Sequence, residues 1–194
     1  MRIIAGAHRG RRLRAPAGGA RPTADRAREA VFNILAHGVA GAGIDGVSVL
    51  DVFAGSGALG LEALSRGAVH ATFMDDDGAA LACVRANLKA LDAAADATLL
   101  DADATRPPPP PLAARAPCAL VFLDPPYGSG LAPEALAALA AKGWIAGGAV
   151  CVAEVAARED FAVPARFDIL EERTYGATRV VFLRRARESA IISN

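Results

Sequence analysis

Val49-Leu50-Asp51-Val52-Phe53-Ala54-Gly55-Ser56-Gly57-Ala58-Leu59-Gly60 decides the fold. The apolar run from Val47 to Phe53 is broken by one acid and ends in small residues. Leu59, Leu61 and Leu64 then fall at helical spacing, so the stretch reads as strand, tight turn and helix. Gly55 and Gly57 allow positive φ and close approach of backbone to a ligand, and Gly60 lets the helix lie near the sheet. The letters fit G-x-G-x-x-G, a turn that nicotinamide, flavin and methyl-donor enzymes share, so the turn alone does not choose among them.

Downstream the pattern alternates. Val69 to Met74 is a second strand, closing on Asp75-Asp76-Asp77. These acids follow the glycine turn by roughly 20 residues, the distance at which a carboxylate takes a ribose diol. Asp75 is the foremost candidate with Asp76 beside it, and Asp77 is placed to cap the helix carrying Leu81, Val84, Leu88 and Leu91. Ala97 to Leu100 is a short third strand leading to Asp103 and Ala104, at the edge where an adenine would lie. Pro107 to Pro111 forbids helix and predicts an extended, exposed loop. Ala119 to Leu123 is apolar throughout, as a strand buried on both faces should be. A helix over Pro133–Lys142, a strand over Ala149–Ala153 and an antiparallel hairpin over Phe167–Arg173 and Arg179–Leu183 complete an α/β, doubly wound, mostly parallel sheet.

Charge is balanced overall, with 21 Lys and Arg against 21 Asp and Glu. Its distribution is uneven: Arg2, Arg9, Arg11, Arg12, Arg14, Arg21, Arg26 and Arg28 precede position 30 against only Asp25 and Glu29. Residues 1–20 read as a small β-hairpin extension, Arg2–Gly6 and His8–Leu13 about a turn with a Pro/Gly linker behind, attached to a main domain over 21–187. A basic arm on a neutral body suits phosphate docking, or is simply a solvated terminus. In the helix that follows, Thr23 is the expected N-cap and Val31, Ile34 and Leu35 form the apolar stripe. Cys83, Cys118 and Cys151 lack metal or disulfide spacing, which predicts reduced thiols and no metal. No apolar run has transmembrane length and no signal-peptide core is present, so a cytoplasmic protein without a membrane partner, acting as a monomer, is expected.

Asp124-Pro125-Pro126-Tyr127 at a strand end is far more specific than the glycine turn. Two prolines fix φ and remove two donors, leaving carbonyls to accept from a ligand. A carboxylate plus a carbonyl can take both hydrogens of an amino group, and Tyr127 offers a face on which a base stacks, worth about 1–3 kcal/mol. An exocyclic amine is a poor nucleophile because its lone pair is delocalised; accepting its hydrogens favours a pyramidal nitrogen. In-line attack on a sulfonium methyl then needs positioning and electrostatic help, with the proton passing to Asp124 or to water.

Asp51 to Gly57 together with Asp124 to Tyr127 resembles an S-adenosylmethionine-dependent amino-group methyltransferase. Arg9-Gly10-Arg11, the box Arg21-Pro22-Thr23-Ala24-Asp25-Arg26 with Arg28-Glu29 and Phe32-Asn33, and Gly57 to Ala63 resemble the RsmD family more narrowly, over about Ile3 to Leu183. The resemblance implies a class I, Rossmann-like fold and methylation of a guanine N2, at position 966 of 16S ribosomal RNA in small-subunit particles, with S-adenosylhomocysteine as product. It also implies that Asp51, Phe53, Ala54, Gly55, Ser56 and Gly57 hold the methionine portion of the donor, with Asp51 near its ammonium. Asp75 and Asp76 would take the ribose, and Asp103 and Ala104 the adenine. Asp124, Pro125, Pro126 and Tyr127 would receive the target base. The box carrying Thr23 and Arg26 closes over either the donor or the flipped base, while Arg9, Arg11, Arg12, Arg21 and Arg28 would meet RNA. The chain departs from the family at Asp75, where Glu is frequent, and at the polyproline run, which replaces a commonly helical region.

Other activities share parts of this pattern. A nicotinamide dehydrogenase would share the turn and Asp75 but leave Asp-Pro-Pro-Tyr unexplained. DNA adenine and protein glutamine methyltransferases would share both motifs; against them stand the RsmD-like N-terminal box and the absence of an evident target-recognition domain. A noncatalytic RNA-binding module would account for the arm alone and predicts no donor affinity.

Overall fold

Strand hydrogen bonding follows from the apolar runs. β1 (Ser48–Val52), β2 (His70–Asp75), β3 (Ala97–Asp101), β4 (Cys118–Leu123) and β5 (Ile145–Ala156) are parallel, and β6 (Phe167–Tyr175) and β7 (Thr178–Arg185) form the antiparallel hairpin. The order across the seven-stranded sheet is β3-β2-β1-β4-β5-β7-β6. Only β7 runs against the others, because it pairs antiparallel with both β5 and β6. The computed structural model describes residues 1–15, 22–37 and 43–187.

Period-two alternation divides the central strands between two cores. Val49, Leu120 and Phe122 face one side, with α1 (Pro22–His37), α2 (Ala58–Ser65) and α3 (Gly78–Leu91). Leu50, Val52, Val121 and Leu123 face the other, with α4 (Leu131–Ala141) and Trp144. Both sides of β1 and β4 are thus covered, which is why those segments are apolar at nearly every position. Phe32 of α1 meets Phe122 of β4 with ring centroids 5.5 Å apart and planes at 46°.

Several boundaries differ from the sequence reading for identifiable reasons. α1 begins at Pro22, so Thr23 lies inside the helix and is not its N-cap. The ring of proline presets the helical φ and its missing N–H costs nothing in a first turn. β5 begins at Ile145, four residues earlier than the sequence suggests, and a register shift opposite Cys118–Leu120 takes up three extra residues of β5 around Gly147 and Gly148. The polyproline segment is extended and mostly exposed, yet Pro107 is buried and the Pro108 carbonyl accepts a hydrogen bond from Trp144 Nε1 at 2.8 Å. Cys118 and Cys151 are buried and Cys83 is half-buried.

The basic arm is a hairpin with a single bridge, Arg2 to Arg12, rather than two strands. Ile3, Gly10 and Leu13 N–H bond across the hairpin, and other amides are taken by the body: Ile4 and Ala5 N–H donate to the Glu62 carboxylate at 2.7 and 3.0 Å, and His8 N–H donates to Ser65 Oγ at 3.0 Å. Glu62 has no exposed surface and is also paired with Arg66 at 2.7 Å. A buried carboxylate with three charge-assisted partners is satisfied, so the arm is fastened by polar contacts in place of the apolar area it lacks. Ile3 and Leu13 contribute that little apolar area, both buried beside α1.

Candidate active site

Two loops leave the carboxyl rim of the sheet side by side. Val52 of β1 is in register with Leu123 of β4, and Asp124 N–H donates to the Val52 carbonyl at 3.3 Å. The glycine turn and Asp-Pro-Pro-Tyr therefore start one strand spacing apart, about 4.8 Å. In open parallel sheets this rim is where ligands bind.

The turn after β1 is tightly determined. Phe53 has φ 57°, a left-handed conformation that an aromatic residue adopts only when its surroundings enforce it. Ala54 N–H donates to the Met74 carbonyl and Gly55 N–H to Asp75 Oδ2 at 2.9 Å, tying the turn to the end of β2. A Cβ on Gly60 would stand 2.5 Å from the Phe73 ring and 3.1 Å from Asp51 Oδ2, so only glycine brings α2 down onto the sheet. A Cβ on Gly55 would meet nothing nearer than 3.9 Å, which leaves open space on that face of the turn. Asp75 Oδ1 accepts from Asp77 N–H, and two oxygens with two lone pairs each retain acceptor capacity for a diol. The open face of Gly55, flanked by Asp75, fits an adenosyl ligand.

Asp51 is buried and accepts from Gly60 N–H at 2.8 Å. Burial foremost, with repulsion from Asp124 and Asp75, pushes its pKa up to about 8 against the pull of the Gly60 bond. A cation arriving nearby would restore its charge, as the ammonium role implied by the resemblance requires. The folded state holds this proton more tightly than the unfolded chain, so the stabilising contribution is complete below pH 4 and is lost as pH rises toward 8. The unliganded protein is expected to lose stability over that interval relative to Asp51→Asn, with a slope of up to about 1.4 kcal/mol per pH unit. Urea denaturation of both chains at pH 5 and 8 checks this; parallel behaviour would place Asp51 in its ordinary charged form.

Other candidates divide by environment. Asp76 is exposed at the rim, and Asp77 caps α3 by accepting from Ala79 N–H at 2.8 Å. The Asp103 carboxylate is held by Thr105, whose hydroxyl and amide both donate to it, and by Arg106, which together lower its pKa to about 2. Ala104 is buried beside it. Asp124 is exposed, Pro125 buried and Pro126 exposed. Tyr127 is half-buried, and its hydroxyl donates to Glu154 Oε1 at 2.8 Å and lies 2.6 Å from Thr178 Oγ1. Burial foremost, then the Glu154 carboxylate, raises its pKa to about 12, so the phenol remains neutral while the ring is held.

The arginines also divide. Arg9, Arg11 and Arg12 are exposed on the arm, and Arg26 lines a cleft of about 390 Å³ with Arg2, Arg9 and Arg28. Arg28 departs from the exposed RNA-facing set: it is 5% exposed and donates to the Arg2 carbonyl at 2.7 Å, so it ties α1 to the arm. Arg21 lies outside the described residues, as does the Thr23 side chain. The arm borders the glycine turn through Asn87, whose amide donates to the carbonyls of Ser56 and Arg14 while Arg14 N–H donates back to it at 2.7 Å.

Sequence reasoning missed Glu62, Asn87, Glu154 and Thr178. A signal existed for two of them, since Asn87 and Glu62 are polar residues on the apolar faces of their helices. Glu154 and Thr178 carry no local mark.

A family model described as "Conserved hypothetical protein 95" matches residues 1–184. The "Ribosomal RNA small subunit methyltransferase D" of Escherichia coli is 40% identical over 179 residues, 91% of this chain and 85% of that protein. The chain belongs to the RsmD family. A second relative, "Putative rRNA methyltransferase YlbH" of Bacillus subtilis, is 43% identical over 128 residues, 66% of this chain and 67% of that one. Among solved structures, a putative methyltransferase, yhhF, from Escherichia coli superposes with a TM-score of 0.79 at 36% identity, covering 97% and 99% of the two chains. The RsmD-family fold is the class I, Rossmann-like methyltransferase fold expected from the motifs.

Proposed function

We propose that this chain transfers the methyl group of S-adenosylmethionine to the exocyclic N2 of a guanine in small-subunit ribosomal RNA. The observation that supports the reading is the Val52–Leu123 register, by which the glycine turn and Asp-Pro-Pro-Tyr start side by side on one rim. The relatives' names support small-subunit rRNA as substrate; the choice of guanine N2 rests on the RsmD resemblance.

When bound, the donor supplies a methyl group activated by positively charged sulfur. The chain's own residues orient and exclude. Asp75 and the open face of Gly55 seat the nucleoside, and Asp51 answers the ammonium. The base must leave its stack to reach the rim; Tyr127, fixed through its hydroxyl, gives it a surface. Asp124 and a carbonyl of the proline pair accept the two N2 hydrogens. The nitrogen–carbon bond forms as the sulfur–carbon bond breaks, and the N2 proton leaves to Asp124 or water. Arg9, Arg11 and Arg12 hold rRNA phosphates beside the donor turn.

Labelled donor offered to unmodified small subunits, bare rRNA, duplex DNA and a glutamine-bearing protein separates the acceptors. Label is expected in the small-subunit rRNA, on guanine N2 after digestion. Label confined to DNA or protein would overturn the substrate, and absence of donor binding by folded protein would favour an RNA-binding module.

A further inference from the structure

Beyond Tyr127 the loop runs Gly128-Ser129-Gly130 into α4, and both glycine amides converge on one carboxylate. Gly128 N–H donates to Glu159 Oε2 at 2.8 Å and Gly130 N–H to Glu159 Oε1 at 3.1 Å. Ala156 N–H, at the end of β5, donates to Oε2 at 3.1 Å. Glu159 is itself held: its carbonyl accepts from the Arg179 guanidinium of β7, and its N–H donates to the Ala156 carbonyl. Packing does little for this loop, since a Cβ on Gly128 or Gly130 would find no atom within 4 Å. Both glycines have left-handed backbones, φ 72° and 66°, a conformation whose alternatives are cheap for glycine. Hydrogen bonds therefore hold this arrangement: Ser129 N–H closes the turn onto the Pro126 carbonyl at 3.3 Å, and Glu159 is what ties the loop to the neighbouring wall. Burial favours the protonated acid, but the Gly128, Ala156 and Gly130 amides, helped by Arg179, outweigh it and leave the carboxyl below its ordinary pKa.

We propose that Glu159 is a positioning residue for methyl transfer, fastening the segment after Tyr127 to the β5–β7 wall and so setting the pose of Asp124 to Tyr127 against the base. This rests on the transfer reading above. Glu159 and Glu154 act on the same ledge from the same wall, one through the backbone and one through the Tyr127 hydroxyl. A bare helix-capping role for Glu159 at α4 would affect stability alone.

The test uses the full chain with unmodified small subunits. For Glu159→Ala, kcat is expected to fall by about ten- to a hundredfold, the scale of a small misplacement of reacting groups. The donor Kd is expected to stay within about twofold, because the glycine turn is held by other bonds, Gly55 N–H to Asp75 and Gly60 N–H to Asp51. Glu159→Gln keeps one acceptor oxygen and turns an amide group toward the other donor, so an intermediate kcat is expected with near-parental thermal stability. Unchanged kcat in both variants, or a loss of kcat matched by a rise in donor Kd or by unfolding, would overturn the assignment. A parent chain that binds donor and methylates nothing would overturn the reaction and this role with it; a parent that turns over while Glu159→Ala keeps pace would overturn the role alone.

Discussion

Asp124→Ala is expected to lower kcat for methyl transfer by about a thousandfold or more while leaving donor affinity nearly unchanged. Asp124 is the one carboxylate at the head of the ledge, and Asp124 N–H, which ties the loop to Val52, survives the substitution. On the proposed reaction, what disappears is an acceptor for an N2 hydrogen and a destination for the proton, each an effect of about a hundredfold or more when removed. The donor turn is held by other bonds, Gly55 to Asp75 and Gly60 to Asp51, so calorimetric donor binding should persist. Asp124→Asn separates the two losses: its amide oxygen still accepts one hydrogen but takes no proton, and activity between parent and alanine is expected. Near-normal turnover in Asp124→Ala would remove Asp124 from the reaction. Loss of donor binding in parallel would make it part of the donor pocket instead.

The second large effect is expected at the arm. Gly6 has φ 83°, and a Cβ built on it would lie 1.7 Å from the Ser65 carbonyl oxygen. That is backbone on backbone, so no side-chain rotation relieves it, and Gly6→Ala should lift the arm from α2. Ala7 N–H to Ser65 O, His8 N–H to Ser65 Oγ and the Glu62 bonds would be lost together. The exposed guanidinium groups of Arg9, Arg11 and Arg12 would then no longer stand in a fixed array near the rim. Affinity for small subunits is expected to fall about tenfold or more. The slope of log K against log salt should flatten by up to about three, roughly one per phosphate contact released. Titrations at several salt concentrations, with donor binding as the folding control, measure this. An unchanged slope would mean that the arm does not meet phosphate.

These two sites differ in how far they could be read from the chain. The glycine turn and Asp-Pro-Pro-Tyr are legible because each is a local steric statement: glycine where backbone must come close, proline where it must be stiff, next to apolar runs of strand length. The clasp of the arm is not legible in that way. Glu62 meets Ile4 across 58 positions and Asn87 meets Arg14 across 73, and no local pattern ranks such pairs. The same blindness explains Arg28, which by composition belongs with the basic residues and by position lies under the arm. Threonine is a good cap, which points to Thr23, but Pro22 is already the first residue of α1. At β5 a Gly-Gly pair imitates a turn and is instead a bulge in a long strand. The supports of Tyr127 were hidden because Glu154 and Thr178 look like any polar positions in an alternating hairpin; only the pairing of β5 with β7 brings them to its hydroxyl.

The reversed direction of β7 has a consequence for how this architecture can change. Ala156, where β5 ends, pairs with Thr178, where β7 begins, so the two-residue connection Gly176-Ala177 projects at the same border as the ligand-facing loops. Lengthening that tip would add material over the acceptor entrance while every rung of the ladder behind it kept its partner. A short connection leaves that border open; a long one would narrow the choice of guests without redesigning the floor on which the chemistry stands.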